Sequence, residues 1–314
     1  MRLTTIIAVA LSATVLTTPT LAQNQSVGLV VARTGDPVFA MMECGARRAA
    51  MELGFDIQVN GPPEWNAQQQ IPIVRAMIAS QPDAVVIDPT DAVALQAPLR
   101  EALDAGMKVV TVDSELGGDL GIPHIGTDGI EGGREAGRQL VDLIHGQGTV
   151  LVVGVAPGIA ITDQRHAGFM EIMGQHPDIT VLEKQFAGDD PGKVSEAIRG
   201  ALAAHPDLAG IHADATLIGE FVGATLRNLD RADIPAVAFD ASPTEVDWLK
   251  QGYLDVLLPF NPDELGYLGV HNAAQQLAGE EVEPLVLKGY FAVTRDNLET
   301  PEAQSTIYTF DCNG

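Results

Sequence analysis

From residue 27 onward the chain alternates between two rhythms. Short apolar runs at 27–32, 84–87 and 108–112 are rich in β-branched residues. Between them lie longer segments at 37–53, 67–79 and 92–105, where apolar and polar positions recur with a helical period. The first pattern predicts buried strands and the second amphipathic helices. A further strand is expected at 55–59. Strands that are apolar on both faces and separated by helices belong to a parallel sheet covered on both sides.

The rhythm breaks at 119–126, which is Gly-rich and lacks a helical period, and then restarts. Helices are expected at 130–144, 162–174, 196–204, 217–229, 243–251 and 262–277. Strands are expected at 149–153, 180–183, 208–212, 236–239 and 254–258. Three junctions echo one another: Gln81-Pro82-Asp83, His176-Pro177-Asp178 and His205-Pro206-Asp207. In each, Pro stops a helix and an apolar run begins at once. One echo falls in the first half and two in the second. That suits two similar doubly wound lobes better than one long sheet, and makes the junction histidines punctuation, not metal ligands.

The N-terminus follows neither rhythm. Arg2, an apolar stretch over 6–16, and the small residues Thr20 and Ala22 before Gln23 make a secretory signal over 1–22. The stretch is shorter than the roughly 20 apolar residues that span a bilayer. A formal charge of −24 argues against nucleic acid and anionic lipid as partners. Two cysteines remain after such a cut, Cys44 and Cys312. In an oxidising compartment they either pair, stapling the tail to the first lobe, or stay as separate thiols; spacing does not choose.

Candidate chemistry gathers at the ends of the expected strands. Asp88, Asp113, Asp214 and Asp240 each follow an apolar run. Ligands of open parallel sheets sit beyond the carboxyl ends of the strands, so two facing lobes would aim these carboxylates into one cleft. A carboxylate accepts from several hydroxyls, which suits a polyhydroxylated ligand. The competing role is helix capping. Thr90 or Asp91 can relieve Asp88 of it, and Ser242 with Pro243 can relieve Asp240, while Asp36 and Asp214 could be caps themselves. Arg165, near a helix start, could donate to ring or hydroxyl oxygens. Phe39 and Trp65 are candidates for stacking on a sugar, with core packing the alternative, stronger for Phe39. No GxSxG, HExxH or Walker loop is present, and the seven histidines lack metal-site spacing. Neither enzyme activity, cofactor nor metal is expected.

Together these segments resemble the type I periplasmic binding proteins of the ribose-binding kind. The resemblance runs from about Val27 to Leu287. It is carried by Val-Gly-Leu-Val-Val at 27–31 with Asp36-Pro37-Val38-Phe39, Val-Ile-Asp-Pro-Thr-Asp at 86–91 and Val-Val-Thr-Val-Asp-Ser at 109–114. Further on come Ile-Gly-Thr-Asp at 125–128 with Gly132-Gly133, Gln-Arg-His-Ala-Gly-Phe at 164–169 and Ala-Phe-Asp-Ala-Ser-Pro at 238–243.

The resemblance implies a periplasmic α/β protein of two lobes joined by a three-stranded hinge, with ligand in the cleft. The N-terminal lobe would hold 27–126 plus 260–288, the C-terminal lobe 127–259, and a longer tail than usual, 289–314, would lie near the hinge. By motif position the ligand contacts would be Asp36, Phe39, Asp88, Asp113, Arg165, Asp189, Asp214 and Asp240, joined by Trp65, Ser114 and Phe260. Residues 61–73 resemble a branch that handles sugars and short sugar alcohols. Asp at 36, 88 and 214 departs from the Asn common in ribose binders, Asp189 from an aromatic residue, Ser114 from Arg, and Phe260 from a polar hinge residue. The implied function is capture of a monosaccharide or sugar alcohol by a monomer for the permease of an ABC importer. Alternatives are a cationic or amino-bearing solute, and presentation of ligand to a chemoreceptor or sensor kinase.

Overall fold

The computed structural model describes residues 25–310 and Cys312. The secretory signal expected at 1–22 lies outside them. The first sheet contains β1 (Ser26–Val30), β2 (Asp56–Asn60), β3 (Ala84–Ile87), β4 (Lys108–Asp113) and β5 (His124–Thr127), plus β12 (Leu285–Lys288) from far along the chain. Its order is β12-β5-β4-β3-β1-β2 and every pairing is parallel. The second sheet contains β6 (Gly148–Gly154), β7 (Ile179–Val181), β8 (Gln185–Phe186), β9 (Leu208–Ala213), β10 (Ala236–Phe239), β11 (Val256–Leu258) and β13 (Val293–Thr294). Its order is β13-β11-β10-β9-β6-β7, with β8 also on β6 and only β13 antiparallel. Chain order reverses between β1 and β3 in one sheet and between β6 and β9 in the other. These are the switch points where doubly wound sheets open a crevice.

Helices α1 (Pro37–Leu53), α2 (Ala67–Ala79), α3 (Gln96–Asp104) and α9 (Pro262–Ala278) cover the first sheet. The second is covered by α4 (Gly129–Leu143), α5 (Ala160–Met173), α6 (Pro191–Ala204), α7 (Thr216–Leu229) and α8 (Pro243–Gln251). The chain passes between the sheets at 127–129, 258–262 and 288–293. Glycines let one helix pair in each lobe meet backbone to backbone. A Cβ on Gly266 of α9 would overlap the Met42 carbonyl oxygen of α1. In the second lobe, a Cβ on Gly133 of α4 would overlap the carbonyl oxygen of Arg165, and one on Gly168 would overlap that of Ile130. The Gly-rich start of α4 therefore serves helix packing and fixes the backbone of Arg165.

Several boundaries differ from expectation. The helix expected at 92–105 starts only at Gln96, because the Asp91 carboxylate accepts from the backbone of Val93 and Ala94 and holds a turn there. The helix expected at 196–204 starts earlier, at Pro191, capped by Asp190. The break at 119–126 hides β5, because His124-Ile125-Gly126-Thr127 holds a single large apolar residue and makes no apolar run. After β13 the tail forms the short α10 (Pro301–Gln304), and Cys312 is disulfide-bonded to Cys44 of α1, their Cα atoms 5.0 Å apart.

Candidate functional site

The crevices at the two switch points face each other across one cleft. Its lining brings together Asp36, Phe39, Trp65, Asp113 and Phe260 from the first lobe or its crossings, and Arg165, Asp189 and Asp240 from the second. The cleft is tightly shut in this structure, leaving about 30 Å³ of free space for the centres of water-sized molecules. A wider, open groove between β8 and α6 on the second lobe holds none of these residues.

Asp113 and Asp240 sit at equivalent places, the carboxyl ends of β4 and β10. Both have left-handed backbones, φ 57° and 77°, which turn the side chains off the strand direction. The Asp240 Oδ2 accepts from the backbone N–H and hydroxyl of Thr216, at 3.0 and 2.7 Å. Its Oδ1 accepts from the Tyr308 hydroxyl at 2.9 Å. Asp113 Oδ1 is buried and has no protein donor among the described residues. Burial lifts the Asp113 pKa to about 6, with nearby Arg165 pulling it down and Asp240 pushing it up. Asp36 caps α1 by accepting from the Val38 N–H at 3.0 Å. Burial lifts its pKa to about 7, helped by Asp240 and Glu220 and opposed by the Val38 bond and Arg33. It both caps the helix and lines the cleft.

Arg165 supplies the buried positive charge. Its Nη1 donates to the Asp214 carbonyl at 2.9 Å and its Nε to the Tyr290 hydroxyl at 3.3 Å. The guanidinium lies 4.1 Å from the centroid of the Phe239 ring, a favourable cation–π distance. Burial disfavours this charge, but Tyr290, Asp240 and Asp113 more than offset that and raise its pKa. Trp65 donates its indole N–H to the Thr90 carbonyl at 3.2 Å and sits 5.6 Å from Phe39, centroid to centroid. It packs against the cores of both lobes, and Phe39 is both core and cleft wall. Asp189 faces Arg33 of the other lobe at 3.5 Å.

Three candidates lie behind the cleft wall. Asp88 is fully buried and accepts from the Ser114 N–H at 3.2 Å, beside Asp113. Burial and the Asp113 charge push its pKa well up. The Ser114 hydroxyl is buried with no partner among the described residues. Asp214 does not cap α7, whose cap position is Ala215. Its Oδ2 instead lies 2.6 Å from the Lys184 ammonium, an ionic contact poorly aligned for a hydrogen bond. Sequence reasoning missed Lys184, which no motif marks. It also missed Gln70, whose buried amide accepts from Thr90 and donates to the Val31 and Asp88 carbonyls, tying the two switch-point loops together. Arg33, Thr162 and Thr216 line the cleft as well.

Two doubly wound lobes closing on a carboxylate-lined cleft define a hinged solute-binding protein. A family model described as a periplasmic binding protein domain matches residues 27–281, and the chain belongs to that family. The ribose import binding protein of Salmonella typhimurium is 28% identical over 282 residues, covering 89% of this chain and 93% of that protein. The crystal structure of an ABC transporter solute-binding protein from Agrobacterium vitis bound with α-D-tagatopyranose is similar at 34% identity and TM-score 0.88, covering 91% of this chain and all of that one. A carbohydrate transporter solute-binding protein from Agrobacterium radiobacter, in complex with D-arabinose, is similar at 25% identity and TM-score 0.87, covering 91% and 99%.

Proposed function

We propose that this chain captures a monosaccharide or short sugar alcohol in the periplasm and presents its closed form to the permease of an ABC importer. The observation that carries this reading is the convergence of Asp36, Asp113 and Asp240 on one cleft beside Arg165. Carboxylates accept from vicinal hydroxyls, and the guanidinium donates to a ring or carbonyl oxygen. Phe39 and Trp65 offer apolar faces to sugar C–H groups. The sugars named for similar proteins favour a sugar over a cationic solute. Tagatose, arabinose and ribose, named for similar proteins, are the sugars to test first. Secretion would follow from the signal at 1–22.

The test is a thermal-shift screen of ligand-stripped mature protein against pentoses, hexoses, tetritols to hexitols, and polyamines. A ligand at 100 times its Kd stabilises the folded state by about 2.7 kcal/mol. A shift of several degrees with a sugar or polyol, lost in Asp113→Ala, supports the assignment. Shifts with amines alone would overturn it.

A further inference from the structure

The C-terminal tail makes a fourth passage between the lobes. It leaves the second lobe at β13, which pairs with β11, and buries Ala303 of α10 in that lobe's core. It then delivers Tyr308, 1% exposed, into the core of the first lobe against Phe260. From there Tyr308 still touches the second lobe. Its backbone N–H donates to the Ala241 carbonyl at 2.9 Å, and its hydroxyl donates to Asp240 Oδ1 at 2.9 Å. The Phe260 N–H points back at the same hydroxyl from 3.4 Å. The tail ends on the Cys44–Cys312 bond, on the helix that carries Asp36 and Phe39.

We propose that this tail is a working part of the binding site: Tyr308 is a positioning residue for Asp240, and the disulfide keeps it in place as the lobes move. This rests on the sugar-binding reading above. Three donors, two from Thr216 and one from Tyr308, fix the Asp240 carboxylate plane. Each carboxylate oxygen has two lone-pair sites, so Oδ1 keeps one for a ligand hydroxyl. Without Tyr308 the carboxylate can turn about its Cβ–Cγ bond, and the ligand must then order it. Without the disulfide the tail loses its covalent anchor on α1, so opening of the lobes can draw Tyr308 off Asp240.

The test uses the full mature chain as wild type, Tyr308→Phe, the double variant Cys44→Ser/Cys312→Ser, and the triple combination. D-tagatose, D-arabinose and D-ribose are titrated into each by calorimetry. Tyr308→Phe keeps the ring and its packing but strips a donor from buried Asp240 and the acceptor from the Phe260 N–H, so the ligand-free melting temperature should drop by a few degrees. Affinity should fall about tenfold besides, roughly the cost of ordering one freed side chain on binding. The double variant should lose a similar factor, and the triple little more, because both changes release the same group. Wild-type affinity in Tyr308→Phe, or fully additive losses in the triple variant, would overturn the proposal. Small-angle scattering of the ligand-free proteins reads the tether without any sugar. A larger radius of gyration in the double variant is expected, and an unchanged one counts against the strap. If wild type binds none of the three, the titrations use the sugar or polyol that the thermal-shift screen finds; if that screen finds none, the sugar reading fails and scattering alone decides on the tether.

Discussion

Asp113 and Asp240 share a backbone that most residues avoid. A left-handed φ costs a non-glycine residue on the order of 1–3 kcal/mol and persists only where its surroundings enforce it, although Asp tolerates it better than most. At Asp113 a buried carboxylate oxygen with no donor among the described residues adds to that cost. Asp113→Asn should therefore leave the ligand-free protein as stable as wild type or more so at pH 7.5, while sugar affinity falls about 10- to 150-fold, the worth of a hydrogen bond to a charged group. Melting curves and calorimetry on the same sample check both halves. The pH dependence has a definite sign. Burial, reinforced by neighbouring carboxylates, raises the pKa of Asp36 to about 7 and that of Asp113 to about 6, and raises those of Asp88 and Glu245 as well. A carboxyl whose folded pKa is raised contributes stability that is full below its unfolded pKa, near 4, and is lost as pH climbs through the folded value. The urea midpoint of ligand-free protein should fall between pH 5 and pH 8, and Asp36→Asn should flatten the slope. A midpoint that rises over this window would contradict the burial of these groups.

At the scale of elements, the paired glycines of α4 and α5 decide where Arg165 sits. Gly168→Ala pushes a methyl into the Ile130 carbonyl, and overpacking of this kind costs about 1–3 kcal/mol. The melting temperature should drop by several degrees, read by calorimetric scan. Gly200 is the control, since it lies on an exposed face of α6 with nothing within 4 Å of where an added methyl would sit. Gly200→Ala should stabilise by about 0.5–1 kcal/mol. These two glycines look alike in sequence, and only the packing separates them. The strand–helix alternation was legible because each buried strand is a dense apolar run bounded by Gly, Pro or Asp. The strand-end carboxylates were legible for the same reason, since the strand ends mark the crevice. What stayed hidden were contacts made across long separations. Lys184 reaches Asp214, and Tyr308 reaches Asp240, and no local pattern announces either. β5 and β12 mix polar or exposed residues into their four positions and β13 has only two, so none makes the dense apolar run that marks β3 and β10.

At the scale of the whole molecule, the question is what holds the lobes together. Arg33 follows β1 of the first lobe and Asp189 precedes α6 of the second, so their ion pair exists only when the cleft is shut. Two further links cross the same mouth: the Ala92 N–H to the Gly158 carbonyl at 3.5 Å, and Gln164 to Glu115 at 3.3 Å. The pair is partly exposed, so it is worth about 0–1 kcal/mol. A contact present only in the closed state shifts the open–closed balance by its own worth, here at most about fivefold. It should act on release and not on capture, because the open protein that meets the ligand lacks it. Asp189→Asn is a cleaner probe than a change at Arg33, whose charge also lowers the Asp36 pKa. Stopped-flow kinetics should show dissociation about two- to fivefold faster in Asp189→Asn, with association within a factor of two of wild type. High salt screens a partly exposed pair, so raising NaCl should speed release from wild type and leave the variant less affected. If Asp189 instead touched the sugar directly, the loss would persist at high salt and differ from one sugar to the next, and the salt series separates the two roles.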